Sequence, residues 1–512
     1  MRPEPTATPD PVSSPAVSRR TLLRLSGVLI AGVTATGLAA CGAAATTSVT
    51  TSAATASQPA SSAASNATAS SAAATSAAAT TAKASPSSSA SASAPPVALG
   101  ANGILYWYWG AGYVPGFHKL AADFNKSQQN VVVTDEQPAA QPDYWNKIIT
   151  LQAGGQGPDV FEINNSSYVN WAHNGSLTDV TSYVNQDKTA SAAMKDTYQS
   201  LVDWYTYKGK LMGLPWDFSA GTVNYNLDHF KAAGLTPIND LGKKWDWNMM
   251  KEYATKLTQS NGPTTTRSGM WVHNSTENGW YSFCAANGAS FFNSTLDQCT
   301  IASAEAIAGL DFLLGMIKTG ISATPTFQSA ANKVVPSGGT PFTDGATSMD
   351  LEGDWNFTTY EQVKGFTNWD SGIFPYSPTS GKTINTSNLR GIVLNTVSKK
   401  KDLAWQWMSY LKSNAVQDQV PLLFGEIPST KTSAETNYLD PSKGGPPPGR
   451  KFLGPDLDAT VPLPASDLLN STDLGNSYSP IMTKAFALQL SASDALNQVQ
   501  AAVNGLLAAA KH

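Results

Sequence analysis

From residue 97 onward the sequence predicts an α/β fold, and three observations carry that prediction. Short apolar runs alternate with stretches whose apolar residues recur at helical spacing, the order is strand, helix, strand, helix, strand, and Gly or small polar residues separate the segments. The first run, Gly103 to Trp109, is apolar and aromatic with Gly at each side, as a buried strand requires. Phe117, Leu120, Ala121 and Phe124 then form one helical stripe, and Val131-Val132-Val133 reads as the next strand. Tyr144, Trp145, Ile148, Ile149 and Gln152 share a second helix face closed by Gly154-Gly155, after which Asp159 to Ile163 is a strand. Such an alternation predicts a parallel sheet with right-handed crossovers. Later stripes, Met250, Tyr253, Ala254 and Leu257, and Leu403, Ala404, Trp407, Met408 and Leu411, read as core-facing helix surfaces.

The first hundred residues have a different composition. Arg19-Arg20 precedes an uncharged apolar run from Leu25 to Ala40, and the pair resembles a twin-arginine export signal, so residues 1–40 read as a signal peptide. Leu38-Ala39-Ala40-Cys41 resembles a lipoprotein processing site, with Cys41 as the lipid acceptor and mature N-terminus. Residues 41–96 beyond that thiol are almost wholly Ala, Ser and Thr, with no aromatic residue, and cannot bury enough apolar surface to fold. They predict a disordered tether whose flexible-coil span is roughly 40 Å. Its Ser and Thr would also accept O-glycans. With a net charge of −4, only 14% charged residues and no basic block after residue 24, the chain has no electrostatic footprint for nucleic acid. The 14 Trp and 17 Tyr suit either a core or a polar ligand with apolar faces.

Five blocks, in order, resemble the extracellular solute-binding proteins of the carbohydrate-uptake class of ABC importers, the maltose-binding-protein-like family. Tyr144-Trp145-Asn146-Lys147 through Gly157-Pro158-Asp159-Val160-Phe161 is the first. Tyr207 to Pro215 followed by Val223-Asn224-Tyr225-Asn226 is the second. Lys244-Trp245-Asp246-Trp247 with the helix to Thr258 is the third, and Phe342 to Met349 followed by Glu352-Gly353-Asp354-Trp355 the fourth. The last joins Leu389-Arg390-Gly391-Ile392 to Gly425-Glu426-Ile427-Pro428-Ser429. The fourth departs from the family pattern, with Thr347 in place of the usual Ala and the family Lys absent. This resemblance implies a hinged, two-lobe periplasmic-binding-protein-like fold (type II), with the ligand cleft between the lobes and closure presenting a surface to the permease subunits. By that analogy lobe 1 is 97–216 plus 390–432 and lobe 2 is 217–389 plus 433–512. It further implies a monomer without cofactor that captures a sugar or oligosaccharide, although the family also takes polyols and glycerophosphodiesters.

A sugar needs stacking aromatics together with groups that satisfy its hydroxyls, and such residues sit at strand ends and in loops. The candidates are Trp109 and Gly110 after the first strand, Asn164 and Asn165 after the third, Trp216 and Asp217 at the crossover, and Trp280 in an Asn-Gly turn. Glu352, Gly353 and Trp355 come from the fourth block, Arg390 from a second hinge, and Tyr478 from the approach to a C-terminal helix over Ile481, Ala485, Leu488 and Leu490. With Cys41 assigned to lipid, Cys284 and Cys299 remain as an even pair in an oxidising compartment and are expected to form a disulfide. They lack metal-ligand neighbours, since His273 stands alone. A secreted glycoside hydrolase would also need an export signal and two carboxylates, for which Glu352 and Asp354 are available. No G-x-S-x-G, H-E-x-x-H or P-loop is present, and the carboxylates fall inside a binding-protein block, so the expectation is a non-enzymatic protein. A surface adhesin would account for the lipid and tether but not for the crossover blocks.

Overall fold

The computed structural model describes residues 99–139, 143–262, 264–323, 340–384, 386–454 and 461–511. The twin-arginine segment, Cys41 and the tether to residue 96 lie outside the described residues. All described residues belong to one compact unit, Ala98–His512.

The predicted alternation is present. Strand β1 (Gly103–Trp107) leads to helix α1 (Val114–Ser127), strand β2 (Val132–Glu136), helix α2 (Asp143–Ala153), strand β3 (Val160–Asn164) and helix α3 (Asn165–His173). The stripe Phe117, Leu120, Ala121 and Phe124 is buried, as are Tyr144, Trp145 and Ile148, whereas Ile149 is 46% exposed at the margin of its stripe. Strand β4 (Leu214–Phe218) is followed almost at once by β5 (Gly221–Asn226), then by helices α4 (Trp247–Leu257), α5 (Trp280–Ala286) and α6 (Ala304–Lys318). Strands β6 (Met349–Gly353), β7 (Trp369–Gly372) and β8 (Leu389–Leu394), helix α7 (Lys401–Lys412), the short strand β9 (Ile427–Pro428) and helices α8 (Ser471–Phe486) and α9 (Ala492–Ala510) complete the framework. Many helix starts follow from local chemistry: the side chains of Asn164, Asp246, Ser303, Asn470 and Ser491 each accept from a backbone N–H of the first turn.

The strands form two principal sheets. One has the order β9-β4-β8-β3-β1-β2, the other β6-β5-β7. The expected parallel sheet holds only for β1, β2 and β3, since β8 runs antiparallel to β3 and β4, β9 runs antiparallel to β4, and the second sheet is wholly antiparallel. Strands returning from remote parts of the chain need no helical crossover, so they are free to enter antiparallel. Each sheet has its own core, one built on Ile104, Phe117, Ile148, Phe161 and Trp407, the other on Val223, Met250, Leu310, Met349 and Val499. Among the described residues, no helix is long and apolar enough to cross a membrane.

Because β4 belongs to the first sheet and β5 to the second, the chain passes between them at Ser219-Ala220. It passes back at Asn388, just before β8, and the two passages touch: the Ser219 N–H donates to the Asn388 carbonyl at 3.2 Å. Beside them the Ala220 N–H donates to Asp354 Oδ1 at 2.8 Å, and the Tyr438 hydroxyl donates to Asp354 Oδ2 at 2.5 Å. A second set of contacts joins the two layers farther out. Tyr207 donates to Asp467 Oδ2 at 3.0 Å, Asn170 donates to the Asp467 carbonyl at 2.9 Å, and the Ser167 and Ser471 hydroxyls lie 2.8 Å apart.

The disulfide is a correction. Cys284 and Cys299 are both free and buried. Cys284 sits in α5 with its thiol donating to the Ala306 carbonyl at 3.3 Å, while Cys299 is held by a bridge to Phe292, so each belongs to a separate feature of the second core. Burial pushes both thiols up, Cys299 to about 11, which makes them inert packing groups.

Candidate functional site

A cavity of about 300 Å³ opens where the chain passes between the sheets. Its floor is made by the passage residues themselves, Ser219 and Asn388, with Asp217 from β4 and Arg390 from β8. Trp109 and Tyr113 line it from the segment after β1, Glu426 from just before β9, and Glu277 and Trp355 from the side of the second sheet.

Arg390 organises the floor. It is 5% exposed; its Nε donates to Asp217 Oδ1 at 2.7 Å, its Nη2 donates to Asp217 Oδ2, and its Nη1 lies 3.4 Å from Glu162 Oε1. Register explains the meeting, since β8 lies between β3 and β4 and pairs Arg390 with Asn164 on one side and Asp217 on the other. Burial opposes the charge of Arg390, but Asp217, with Tyr113, Glu162 and Glu426, offsets it and holds the guanidinium above its ordinary value. The Tyr113 ring lies over the guanidinium, 3.7 Å from its carbon, and the Tyr113 hydroxyl donates to Glu426 Oε1 at 2.8 Å. Burial pushes Glu162 up to about 7 and Asp354 to about 7, the latter also through Glu426.

Two aromatic rings of the cavity depend on glycine. A Cβ on Gly110 would stand 2.1 Å from the Tyr113 ring, and one on Gly353 would stand 1.9 Å from the Trp355 ring. Only a residue without a side chain lets each ring lie where it does. Gly110 and Gly353 are thus seats for aromatic rings.

Of the sequence candidates, Trp109, Asp217, Trp355 and Arg390 line the cavity, and Gly110 and Gly353 underlie it. Glu352 lies beside it, accepting from Asn278 Nδ2 at 3.0 Å and standing 3.5 Å from His273 Nε2. His273 is not alone, for its Nε2 lies 2.7 Å from Asp350 Oδ1. The others do not line it. Trp216 is fully buried, packed on Phe117 and Phe424, on the face of β4 opposite Asp217. Trp280 is 1% exposed: the expected turn over residues 276–279 is present, but it leads into α5 with Gly279 as its cap, and every residue of that helix is buried. Tyr478 lies within α8 instead of preceding a helix, with its ring against Trp280 and Phe291 and its hydroxyl 2.9 Å from Thr276 Oγ1. Asn164 is a helix cap, its Oδ1 accepting from the Ser167 N–H at 3.0 Å, and Asn165 is buried in the same turn; neither lines the cavity.

Tyr113, Ser219, Glu277, Asn388 and Glu426 are lining residues that sequence reasoning missed. Glu426 stood inside a quoted block, next to Gly425, whose φ of 77° ends a helix in the left-handed conformation. The remaining four have no local signal.

Comparison with known proteins now adds to this geometry. The sequence profile of bacterial extracellular solute-binding proteins matches residues 119–442. An ABC substrate-binding protein from Listeria monocytogenes, solved in complex with cycloalternan, is 25% identical with a TM-score of 0.66, covering 79% of this chain and 98% of that one. The sugar-binding protein MalE from the phytopathogen Xanthomonas citri is 20% identical with a TM-score of 0.68, covering 80% and 98%. A cyclic alpha-maltosyl-1,6-maltose binding protein from Arthrobacter globiformis is 17% identical with a TM-score of 0.65, covering 79% and 98%. The two sheets and two cores are accordingly the two lobes of the type II fold. With the profile matched over most of the folded body and that fold shared, the chain belongs to the bacterial extracellular solute-binding proteins.

Proposed function

We propose that this protein is the extracytoplasmic receptor of an ABC importer, capturing a sugar or short oligosaccharide by lobe closure and delivering it unaltered to the permease. One observation carries the reading: Trp109 and Trp355 enter one cavity from different lobes, over a floor of Asp217, Arg390, Ser219 and Asn388. Flat apolar faces above a ring of fixed donors and acceptors match a pyranose, which presents C–H faces and equatorial hydroxyls. The structural relatives solved with cycloalternan, named as sugar-binding, and named for cyclic alpha-maltosyl-1,6-maltose support the same ligand class. A glycerophosphodiester is less well served, since the one guanidinium lining the cavity is already paired with Asp217 and three carboxylates surround it. On this reading the hinge lies at Ser219-Ala220 and Asn388, where the chain passes between the two sheets. The receptor is monomeric and has no catalytic role.

Calorimetry against a panel of mono- and oligosaccharides is expected to give one site per chain, with the ligand recovered intact. Hydrolysed sugar would replace this reading with a glycosidase, and no affinity for any small molecule would favour an adhesin.

Residues 1–40 export the protein and Cys41 anchors it to the outer face of the cell membrane through a diacylglyceryl group, two chains being enough for stable attachment. Cys41→Ser is expected to move the protein from the membrane fraction to the medium with sugar affinity unchanged. Retention in the membrane fraction would refute the anchor.

A further inference from the structure

The cavity is unbalanced in charge. Asp217, Glu277 and Glu426 line it against a single guanidinium. Each Arg390 nitrogen already has an acidic partner, Nε and Nη2 on the two oxygens of Asp217 and Nη1 on Glu162 at 3.4 Å. Glu426 receives the Tyr113 hydroxyl, a neutral donor. Glu277 is poorer still, for its Oε1 is shut off from water and has no partner among the described residues. Its neighbours offer no compensation: the charged groups facing it are Glu352, Glu426 and Asp354, all acidic. Of the basic groups near these neighbours, Arg390 is paired with Asp217, Arg450 acts on Asp354, and His273 is directed to Asp350 and Glu352.

The backbone that carries Glu277 is held in place. Its backbone carbonyl accepts from the Ser282 hydroxyl at 2.7 Å and from the Thr386 hydroxyl, so the loop that carries it is pinned on both sides. Neighbouring Asn278 is buried and donates to the Leu351 carbonyl at 2.9 Å. A carboxylate with a shielded, unused oxygen, facing other carboxylates across the cavity, costs the fold stability unless something that enters the cavity repays it. The complement is a positive charge that donates more than one hydrogen bond.

We propose that the ligand carries a protonated amine and that Glu277, with Glu426, seats it, so that the cavity takes an amino sugar in preference to the matching neutral sugar. This deepens the sugar-binding reading and rests on it.

The competing account is a neutral sugar whose hydroxyl meets a protonated Glu277. The two diverge with pH. Burial, reinforced by Glu352, Glu426 and Asp354, pushes Glu277 up to about 8 in the empty cavity, so near neutrality it holds a proton. An ammonium ligand favours the ionised form, so binding expels that proton and affinity rises from pH 6 to pH 8. A neutral ligand that relies on the acid as a donor binds less well over the same interval.

The test compares each sugar with its 2-amino-2-deoxy counterpart, glucose with glucosamine and cellobiose with the β-1,4 glucosamine dimer, by calorimetry on the folded chain. Expected is about tenfold or greater preference for the amine, the scale of a hydrogen bond between charged groups. In wild-type protein at pH 7, titrations in buffers of different ionisation enthalpy should show about one proton released per site. Glu277→Gln, checked by its melting curve, should collapse the amine-to-neutral ratio toward unity. Equal affinity for both members of each pair, or no proton release, would overturn the amine seat and leave the sugar receptor standing. If neither member of any pair binds, the sugar reading falls and this inference falls with it.

Discussion

Arg390→Ala is expected to cost the fold about 3–5 kcal/mol, the loss associated with leaving a buried charge without its partner, and to abolish ligand binding. Asp217 is 1% exposed and Glu162 fully buried, and both face the guanidinium. Without it each must take up a proton to stay buried, so their folded-state pKa values rise further above the unfolded ones. A carboxyl group raised in this way favours folding below its unfolded pKa and loses that contribution as pH climbs toward the folded one. The variant's deficit should therefore deepen from pH 5 to pH 8. Urea midpoints at the two pH values read this directly. Arg390→Lys keeps the charge but not the fork that grips both Asp217 oxygens, and should fall between wild type and Ala. An Arg390→Ala protein with a wild-type midpoint at pH 8 would show that the network contributes nothing to stability.

Trp355→Ala is expected to weaken sugar binding by about 1 kcal/mol or more while leaving the melting curve nearly in place. Trp355 is half-buried and lines the cavity, and among the described residues no other aromatic ring packs on it, in contrast to Trp216 and Trp280. Gly353→Val provides a second route to the same end, because a side chain there must displace the indole it would meet at 1.9 Å. Both variants should lose affinity in calorimetry, one by deleting the ring and the other by moving it. Should Trp355→Ala lose stability as fully as affinity, the residue is core.

The physical reasons for what could be read from sequence are specific. The segments from β1 to β3 were legible because their helices bury one face and expose the other, so the stripes announce themselves. Strand β4 was not legible in detail: all five of its residues are buried, and a two-sided strand has no alternation to tell Asp217 from Trp216. Helix α5 defeated the same logic, being buried on every side. The antiparallel entry of β8 and β9 depends on partners far away in the chain. So does the cavity. Glu277, Asn388 and Glu426 meet only through the fold, whereas Trp109 and Arg390 could be named from their places at strand ends beside glycine. The cysteines show the limit of counting, since an even pair forms a bond only where the backbone brings the two sulfurs together.

With the proposed hinge at the touching passages of Ser219 and Asn388, a ligand in the cavity would sit on the pivot itself. In a rotation about that line, a group travels in proportion to its distance from it. Arg390 and Asp217, beside the line, would stay almost still, while Trp355 and Glu277 sweep inward. A molecule that reaches only the floor exerts no leverage; one that also catches the far rim pulls the jaws together. On the proposed function, occupancy and closure would be separate tasks given to separate residues. Small compounds that hold Arg390 without reaching Trp355 or Glu277 would fill the receptor and jam it open, blocking uptake without being carried.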